Sequence, residues 1–169
     1  SELRSDKITA DLFFAAYRPH SGVGQVLLSC GQSEQGNYGS GWSLYLKEQQ
    51  LHFKVNLKDS QQQDVLLSLV HPGTIEISSG QTLYWYHVRA CYDGKTAYLA
   101  LDGDEVTQEG PGGEIHYRFD EHLTFGQYAH QGTNTTYYDG MLDEVLFYTT
   151  GMVALEDDPL SSISNFELF

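Results

Sequence analysis

Leu83-Tyr84-Trp85-Tyr86-His87-Val88-Arg89-Ala90-Cys91-Tyr92-Asp93-Gly94 is the stretch on which the reading of the fold turns. Alternate side chains of a strand point to opposite faces, which puts Tyr84, Tyr86, Val88, Ala90 and Tyr92 on one side and Trp85, His87, Arg89 and Cys91 on the other. The first face is apolar enough for a core. The second is aromatic and amphipathic, as in a curved sheet whose outer face is partly covered by loops. Asp93-Gly94 then turns the chain, because Gly accepts a positive φ and Asp tolerates one, the combination that a tight hairpin requires.

The same alternation recurs outward from this strand. It reads as strands over Ile8 to Tyr17, Gln25 to Cys30, Trp42 to Lys47, Leu51 to Leu57, Val65 to Val70, Gly73 to Ser78, Thr96 to Leu101, His122 to Gln127 and Tyr138 to Tyr148. Between them lie polar or Gly-rich turns at Ser33 to Ser40, Lys58 to Asp64, Asp102-Gly103 and Gly110 to Gly113. No stretch of helical length carries an apolar stripe at the helical period, and 17 Gly and 12 Tyr against 2 Met and 4 Pro favour strands and turns. The expectation is an all-β fold. Short connections allow a closed barrel or a two-sheet antiparallel sandwich, and the two unlike faces of Leu83 to Tyr92 favour the sandwich.

A chain of 169 residues is read as one domain, 1–169, able to bury a core without disulfide or metal staples. Its 9 Lys and Arg stand against 23 Asp and Glu, a net charge of −14 that repels phosphate backbones and anionic lipid headgroups. Nucleic acid is therefore excluded as a partner. No apolar run approaches the roughly 18 to 20 residues of a membrane span, so no membrane insertion is expected. Cys30 and Cys91 lack metal or redox spacing, and sequence alone leaves open whether they pair. Ser1 opens without a signal segment, which leaves the compartment to other features, and the apolar end at Ile163, Phe166, Leu168 and Phe169 is expected to continue into a larger parent.

Three ordered segments resemble the laminin G-like branch of the concanavalin A-like jelly rolls. Tyr84 to Gly94 is similar to that family's Trp-x-His-Val-x-x-x-Tyr-Asp-Gly strand and turn, and Thr96 to Val106 resembles its strand ending in an Asp-Gly hairpin. Phe125-Gly126 followed by Tyr138-Asp139-Gly140-Met141-Leu142-Asp143-Glu144-Val145-Leu146-Phe147-Tyr148 is similar to its late aromatic, Gly, apolar, Asp-Glu-apolar pattern. Gly41 to Leu46 with Leu51-His52-Phe53 resembles a hairpin of such domains, including those appended to sulfatases and glycosidases. The resemblance runs from Ile8 to Tyr148 and implies a jelly-roll β-sandwich. It speaks less to function, because this fold carries lectins, hydrolases, lyases and interaction modules.

Catalysis by the chain alone is not expected. Glycoside hydrolysis by the usual route needs two carboxyl groups flanking the bond, and the Glu-x-Asp-x-Glu and Glu-x-Asp-x-x-Glu strands of the jelly-roll glucanases are absent. Asp102-x-Asp104 falls in a hairpin and Glu114-x-His116 follows a Gly-rich turn; an unfamiliar hydrolase or lyase site would have to come from Glu114, His116 and Asp120. There is no Gly-x-Ser-x-Gly elbow and no cysteine nucleophile motif. The seven His lack zinc spacing and no EF-hand loop is present. The acidic chain and the resemblance to sandwiches with a rim calcium make a structural Ca2+ an expectation, with Asp143 as first ligand; the plainer role for Asp143 is a buried carboxylate accepting turn N–H groups.

Sugar recognition combines aromatic faces with amide, carboxylate and hydroxyl groups. The loop from Gln127 to Tyr138 holds Tyr128, His130, Gln131, Asn134, Thr135, Tyr137 and Tyr138, and Asn134-Thr135-Thr136 is also a formal glycosylation sequon. Gln35 to Trp42 adds Asn37, Tyr38 and Trp42, with packing the plainer role for Trp42; Tyr17, Arg18 and His20 form a third cluster. The expected function is a non-catalytic, lectin-like carbohydrate-binding domain of a larger secreted or cell-surface protein, its partners a glycan or polysaccharide and the other domains of its parent. The alternative is a protein-interaction or architectural module of an adhesin, or an accessory domain of a polysaccharide-active enzyme.

Overall fold

Gln50–Lys58 shows how this sequence makes a sandwich. Leu51, Phe53, Val55 and Leu57 are buried while Gln50, His52, Lys54, Asn56 and Lys58 between them are only half-buried, the period of a strand with one face in a core. The computed structural model describes residues 4–18, 24–32, 39–118, 122–127 and 137–149. Among these residues there are eleven strands: β1 Ile8–Ala16, β2 Gln25–Gln32, β3 Ser40–Lys47, β4 Gln50–Lys58, β5 Asp64–Thr74, β6 Tyr86–Tyr92, β7 Thr96–Leu101, β8 Asp104–Glu109, β9 Glu114–Ile115, β10 Thr124–Phe125 and β11 Gly140–Tyr148.

They form two antiparallel sheets, one ordered β11-β1-β6-β7-β8 and the other β10-β2-β3-β4-β5 with β9 added alongside β4. The first is called here the β1 sheet and the second the β4 sheet. The expected antiparallel β-sandwich is the fold observed. Ile8, Ala10, Leu12 and Phe14 of β1 with Val88, Ala90 and Tyr92 of β6 face Leu28, Leu44, Leu46, Phe53 and Val55 of the other sheet in one buried cluster. Trp42 of β3 stacks on Phe147 of β11 with ring centroids 5.7 Å apart, so one aromatic pair ties the two layers.

Both Asp-Gly turns form as read. Asp102 and Gly103 have φ of 50° and 86°, which closes the β7–β8 hairpin with both central residues left-handed. Asp93 Oδ1 accepts the Lys95 and Thr96 N–H groups at 2.8 and 2.7 Å, fixing the β6–β7 turn. Gly41 has φ 67°, and a Cβ there would lie 1.8 Å from the Cys30 carbonyl oxygen; its N–H leaves the ladder to donate to His116 O at 2.7 Å, which lets β9 lie along β4.

Several strand boundaries differ from the sequence reading; β9 was not anticipated, and His122 to Gln127 is a strand only over Thr124–Phe125. Val65 to Val70 and Gly73 to Ser78 are not two strands, since β5 runs through Pro72 to Thr74. That is possible because β5 ends its sheet and Pro72 is exposed, so the missing N–H removes no ladder bond. β6 starts at Tyr86, leaving Leu83, Tyr84 and Trp85 outside it. β8 was not anticipated as a full strand, because Asp104–Glu109 has Val106 as its one apolar side chain. Cys30 and Cys91 are both buried and no disulfide joins them; Thr9 Oγ1 donates to Cys91 Sγ at 3.4 Å.

Candidate functional site

The outer face of the β4 sheet is where unlike chemistries meet. Register places Tyr45 beside His52, Ser43 beside Lys54, Asn56 beside Leu66 and Lys58 beside Asp64. The Tyr45 and His52 rings stack at 4.9 Å, and Lys54 Nζ lies 5.7 Å from the centre of the Tyr45 ring. Burial pushes the His52 pKa below its ordinary value, and Nε2–H donates to the Lys47 carbonyl at 3.3 Å, so the ring is neutral at pH 7. Gly24 passes so close over Tyr45 that a Cβ there would stand 2.7 Å from the ring, which is why this outward-facing tyrosine is nearly covered.

At the far end of β4 the same face turns basic. Lys58 Nζ meets Asp64 Oδ1 at 2.8 Å, Arg118 Nη2 meets Asp64 Oδ2 at 3.5 Å, and His116 Nε2 is 4.0 Å from Asp64 Oδ1. The hydrogen bond from Lys58, with Arg118 and His116 adding to it, holds the Asp64 carboxyl below the usual range. Two of the chain's nine Lys and Arg residues, Lys58 and Arg118, therefore share the Asp64 carboxylate, and a third, Lys54, lies farther along the same face of β4 against Tyr45. Sequence reading missed this set. The i, i+2 spacing of His52, Lys54, Asn56 and Lys58 signals a polar strand face, but only the fold brings Arg118 and Asp64 to it.

The other face is built differently. On the β1 sheet Asp11 accepts from Arg89 Nε at 2.6 Å and from His87 Nε2 at 2.7 Å, and Phe13 packs on His87 at 4.8 Å. Asp11 and Arg89 are cross-strand partners, so this cluster crosslinks β1 to β6.

Of the residues read from the sequence as ligand contacts, Tyr128, His130, Asn134, Asn37 and Tyr38 lie outside the described residues, as do Asp120 and His20. Tyr137 is exposed, at 62%. Tyr138 is half-buried, with its hydroxyl donating to Ala15 O at 2.7 Å; burial raises its pKa, and its role in the described structure is packing. Trp42, 1% exposed and stacked on Phe147, presents no ring face to a ligand; its place among ligand residues is corrected in favour of packing. Tyr17 and Arg18 come beside Asp139: Tyr17 N–H donates to Asp139 O at 2.9 Å and Arg18 Nε meets Asp139 Oδ2 at 2.5 Å. Two clusters far apart in sequence thus meet.

Asp143 is exposed on β11, not buried as its plainer role had it, although its Oδ1 does accept the Glu144 N–H at 2.9 Å. Among the described residues no group of three or more His, Cys, Asp or Glu is placed to hold a metal, so these residues do not form a calcium cage around Asp143. Glu114 is exposed opposite Lys58, and the neighbouring Asp64, held ionised by Lys58, is the opposite of the raised-pKa carboxyl that a general acid needs. No helix among the described residues is long and apolar enough to cross a membrane.

The family model for laminin G-type domains of the concanavalin A-like lectin/glucanases superfamily matches residues 2–156. The chain belongs to this superfamily. Among solved structures this laminin G-like domain is similar to the Ruminococcus gnavus IT-sialidase CBM40 bound to alpha2,6 sialyllactose, with TM-score 0.68 and 17% identity over 97% of this chain and 86% of that one. It is also similar to NanB sialidase from Streptococcus pneumoniae (TM-score 0.67, 15% identity, 92% of this chain and 24% of that one). A third is the mouse laminin alpha1 chain, domains LG4-5 (TM-score 0.59, 17% identity, 89% of this chain and 37% of that one). At these identities the likeness is one of fold. No curated protein sequence matches the chain.

Proposed function

We propose that this domain is a non-catalytic carbohydrate-binding module of a larger secreted or cell-surface protein, and that it holds an acidic glycan across the outer face of the β4 sheet. The observation that carries the reading is the gathering of Lys54, Lys58 and Arg118 with the Tyr45–His52 stack on one face of a chain whose net charge is −14. An otherwise acidic surface repels anions, so a local basic strip selects where one can settle. Asn56 and Ser68 add neutral partners for sugar hydroxyls on the same face. The fold's occurrence in a CBM40 domain bound to sialyllactose, an acidic sugar, supports the class. Residues 33–38 join β2 to β3 and residues 128–136 follow β10, both strands of this sheet, so Asn37, Tyr38, Tyr128, His130, Asn134 and Tyr137 are proposed as rim contacts.

A glycan array tests this directly, with wild-type domain, Lys54→Glu and Tyr137→Ala compared with and without a calcium chelator. Acidic glycans should give the strongest signal, lowered roughly tenfold by Lys54→Glu. Chelator sensitivity would support a rim calcium held by groups other than Asp143 alone. A silent array with intact folding sinks the reading. It would favour the interaction module instead, for which Leu66 and Val70, 44% and 43% exposed on the same face, would supply apolar contacts.

A further inference from the structure

A second cleft lies away from this face, where β1 leaves its sheet. Tyr17, Ser78, Ser79, Gln81, Leu83 and Met141 line an open groove of about 620 Å³. Its walls are fixed. Ser78 N–H donates to Ala16 O at 2.7 Å, Ser78 Oγ accepts the Tyr84 N–H at 2.9 Å, and Ser79 and Thr82 exchange backbone bonds that close the turn between them. On the other side the Tyr138 hydroxyl lies 2.7 Å from Ala15 O and 3.2 Å from Met141 O, pinning β1 to β11. The groove is therefore largely preformed, as small-molecule sites are.

We infer that this groove is a binding site for a neutral sugar. Three observations point to that ligand. The described lining has no charged side chain, and Arg18, next to Tyr17, is paired with Asp139. The apolar part is Tyr17 at 37% exposure and Leu83 at 49%, large apolar side chains left open on the groove for a ligand to cover. The polar part consists of hydroxyls and an amide, groups that both donate and accept and so match sugar hydroxyls. An aromatic face beside such groups suits the apolar face of a pyranose, whereas an anion would find no compensating charge. This site uses none of the residues of the basic face and stands independently of the acidic-glycan reading.

The test is amide-resolved NMR titration of the domain with a panel of neutral gluco-, manno-, galacto- and chito-oligosaccharides, with sialyllactose as a separate arm. Gly80 offers a blocking variant, because nothing lies within 4 Å of a Cβ built there, so Gly80→Trp can fill the groove without disturbing the fold. At least one neutral oligosaccharide should move the Ser78 to Leu83 amides, with binding weakened roughly tenfold in Gly80→Trp and in Tyr17→Ala. The sialyllactose response should be unchanged in both variants. The inference is overturned if no neutral oligosaccharide moves these amides, or if one does so equally in Gly80→Trp. Loss of the sialyllactose response alone, in Lys54→Glu, bears on the basic face and leaves the groove intact.

Discussion

The two outer faces of this sandwich use ionic side chains for opposite ends. On the β1 sheet, Asp11 sits nearly buried between Arg89 and His87, and its outward-facing neighbours Thr9, Ala15, Cys91 and Ala100 are buried as well. Charge there is consumed within the molecule and crosslinks two strands. On the β4 sheet, His52, Lys54, Asn56 and Lys58 are only half-buried, and Leu66 and Val70 of β5 beside them are exposed. An ion pair withdrawn from water must be complete, because an unmatched buried charge is costly, whereas a surface cation can hold a loose partner and exchange it for a ligand. One face is closed by its own charges, and the other keeps its charges available.

The sharpest way to break that contrast is Asp11→Ala. Removing the carboxylate leaves Arg89, whose side chain is 14% exposed, and His87 without their shared acceptor. Arg89 Nη1 is already buried with no hydrogen-bond partner, so the cluster has no spare acceptor to offer. The expected loss is about 3 kcal/mol, from the lower end of the range for breaking a buried pair. Urea denaturation measures it, with Lys54→Glu as the counterpart on the other face, expected within about 0.5 kcal/mol of wild type. Equal losses in the two variants would erase the distinction.

What could be read from the sequence follows from the same physics. β1, β4 and β7 match their expected spans closely because one face of each is continuously apolar, and the two Asp-Gly turns form because their φ requirement is local. β8 escaped notice because a strand at the end of its sheet needs little apolar surface, and β5 looked like two strands because Pro72 is harmless only at such an edge, a tertiary fact. The candidate sites depend on cross-strand and cross-sheet neighbours. Lys58 and Arg118 are 60 residues apart in number yet share Asp64, and Tyr17 meets Asp139 and Met141 only through strand pairing. Tyr137, Tyr138 and Trp42 looked alike as aromatic candidates. One is exposed, one is half-buried and one lies in the core: Trp42 is on the core face of β3, whereas Tyr137 and Tyr138 precede β11 and Tyr138 reaches in to the Ala15 carbonyl.

A smaller effect sharpens the comparison through pH. His52 stacks on Tyr45 with its pKa depressed below the ordinary 6.5, first by burial and then by Lys47 and Lys54 nearby. The unfolded chain then binds the proton more tightly than the folded one. Stability from this residue is fully present above about pH 6.5 and is lost as pH falls through the folded pKa. Urea midpoints should therefore decline between pH 7 and pH 5, and His52→Gln should flatten part of that decline. An identical pH profile in the variant would mean that the ring is no less basic folded than unfolded.

The smallest expected effect concerns the edge of the β1 sheet. β11 pairs with β1 through a bulge, Asp11 opposite Leu146 and Phe13 opposite Asp143, and the extra residue Glu144 takes φ 47°. A side chain in that left-handed region is strained by roughly 1 kcal/mol, while glycine there gives back part of the gain through the entropy of the unfolded chain. Glu144→Gly should accordingly raise stability by about 0.5 kcal/mol, read as a shift in the urea midpoint at constant slope. The bulge is what keeps Leu142, Val145 and Phe147 all packed against the core despite the odd spacing between the first two. A destabilised Glu144→Gly would show that the Glu144 side chain, and not the backbone alone, holds the bulge in place. Asp143, bonded to the Glu144 N–H, would then be part of a specific acidic turn and not merely the acceptor that steadies it.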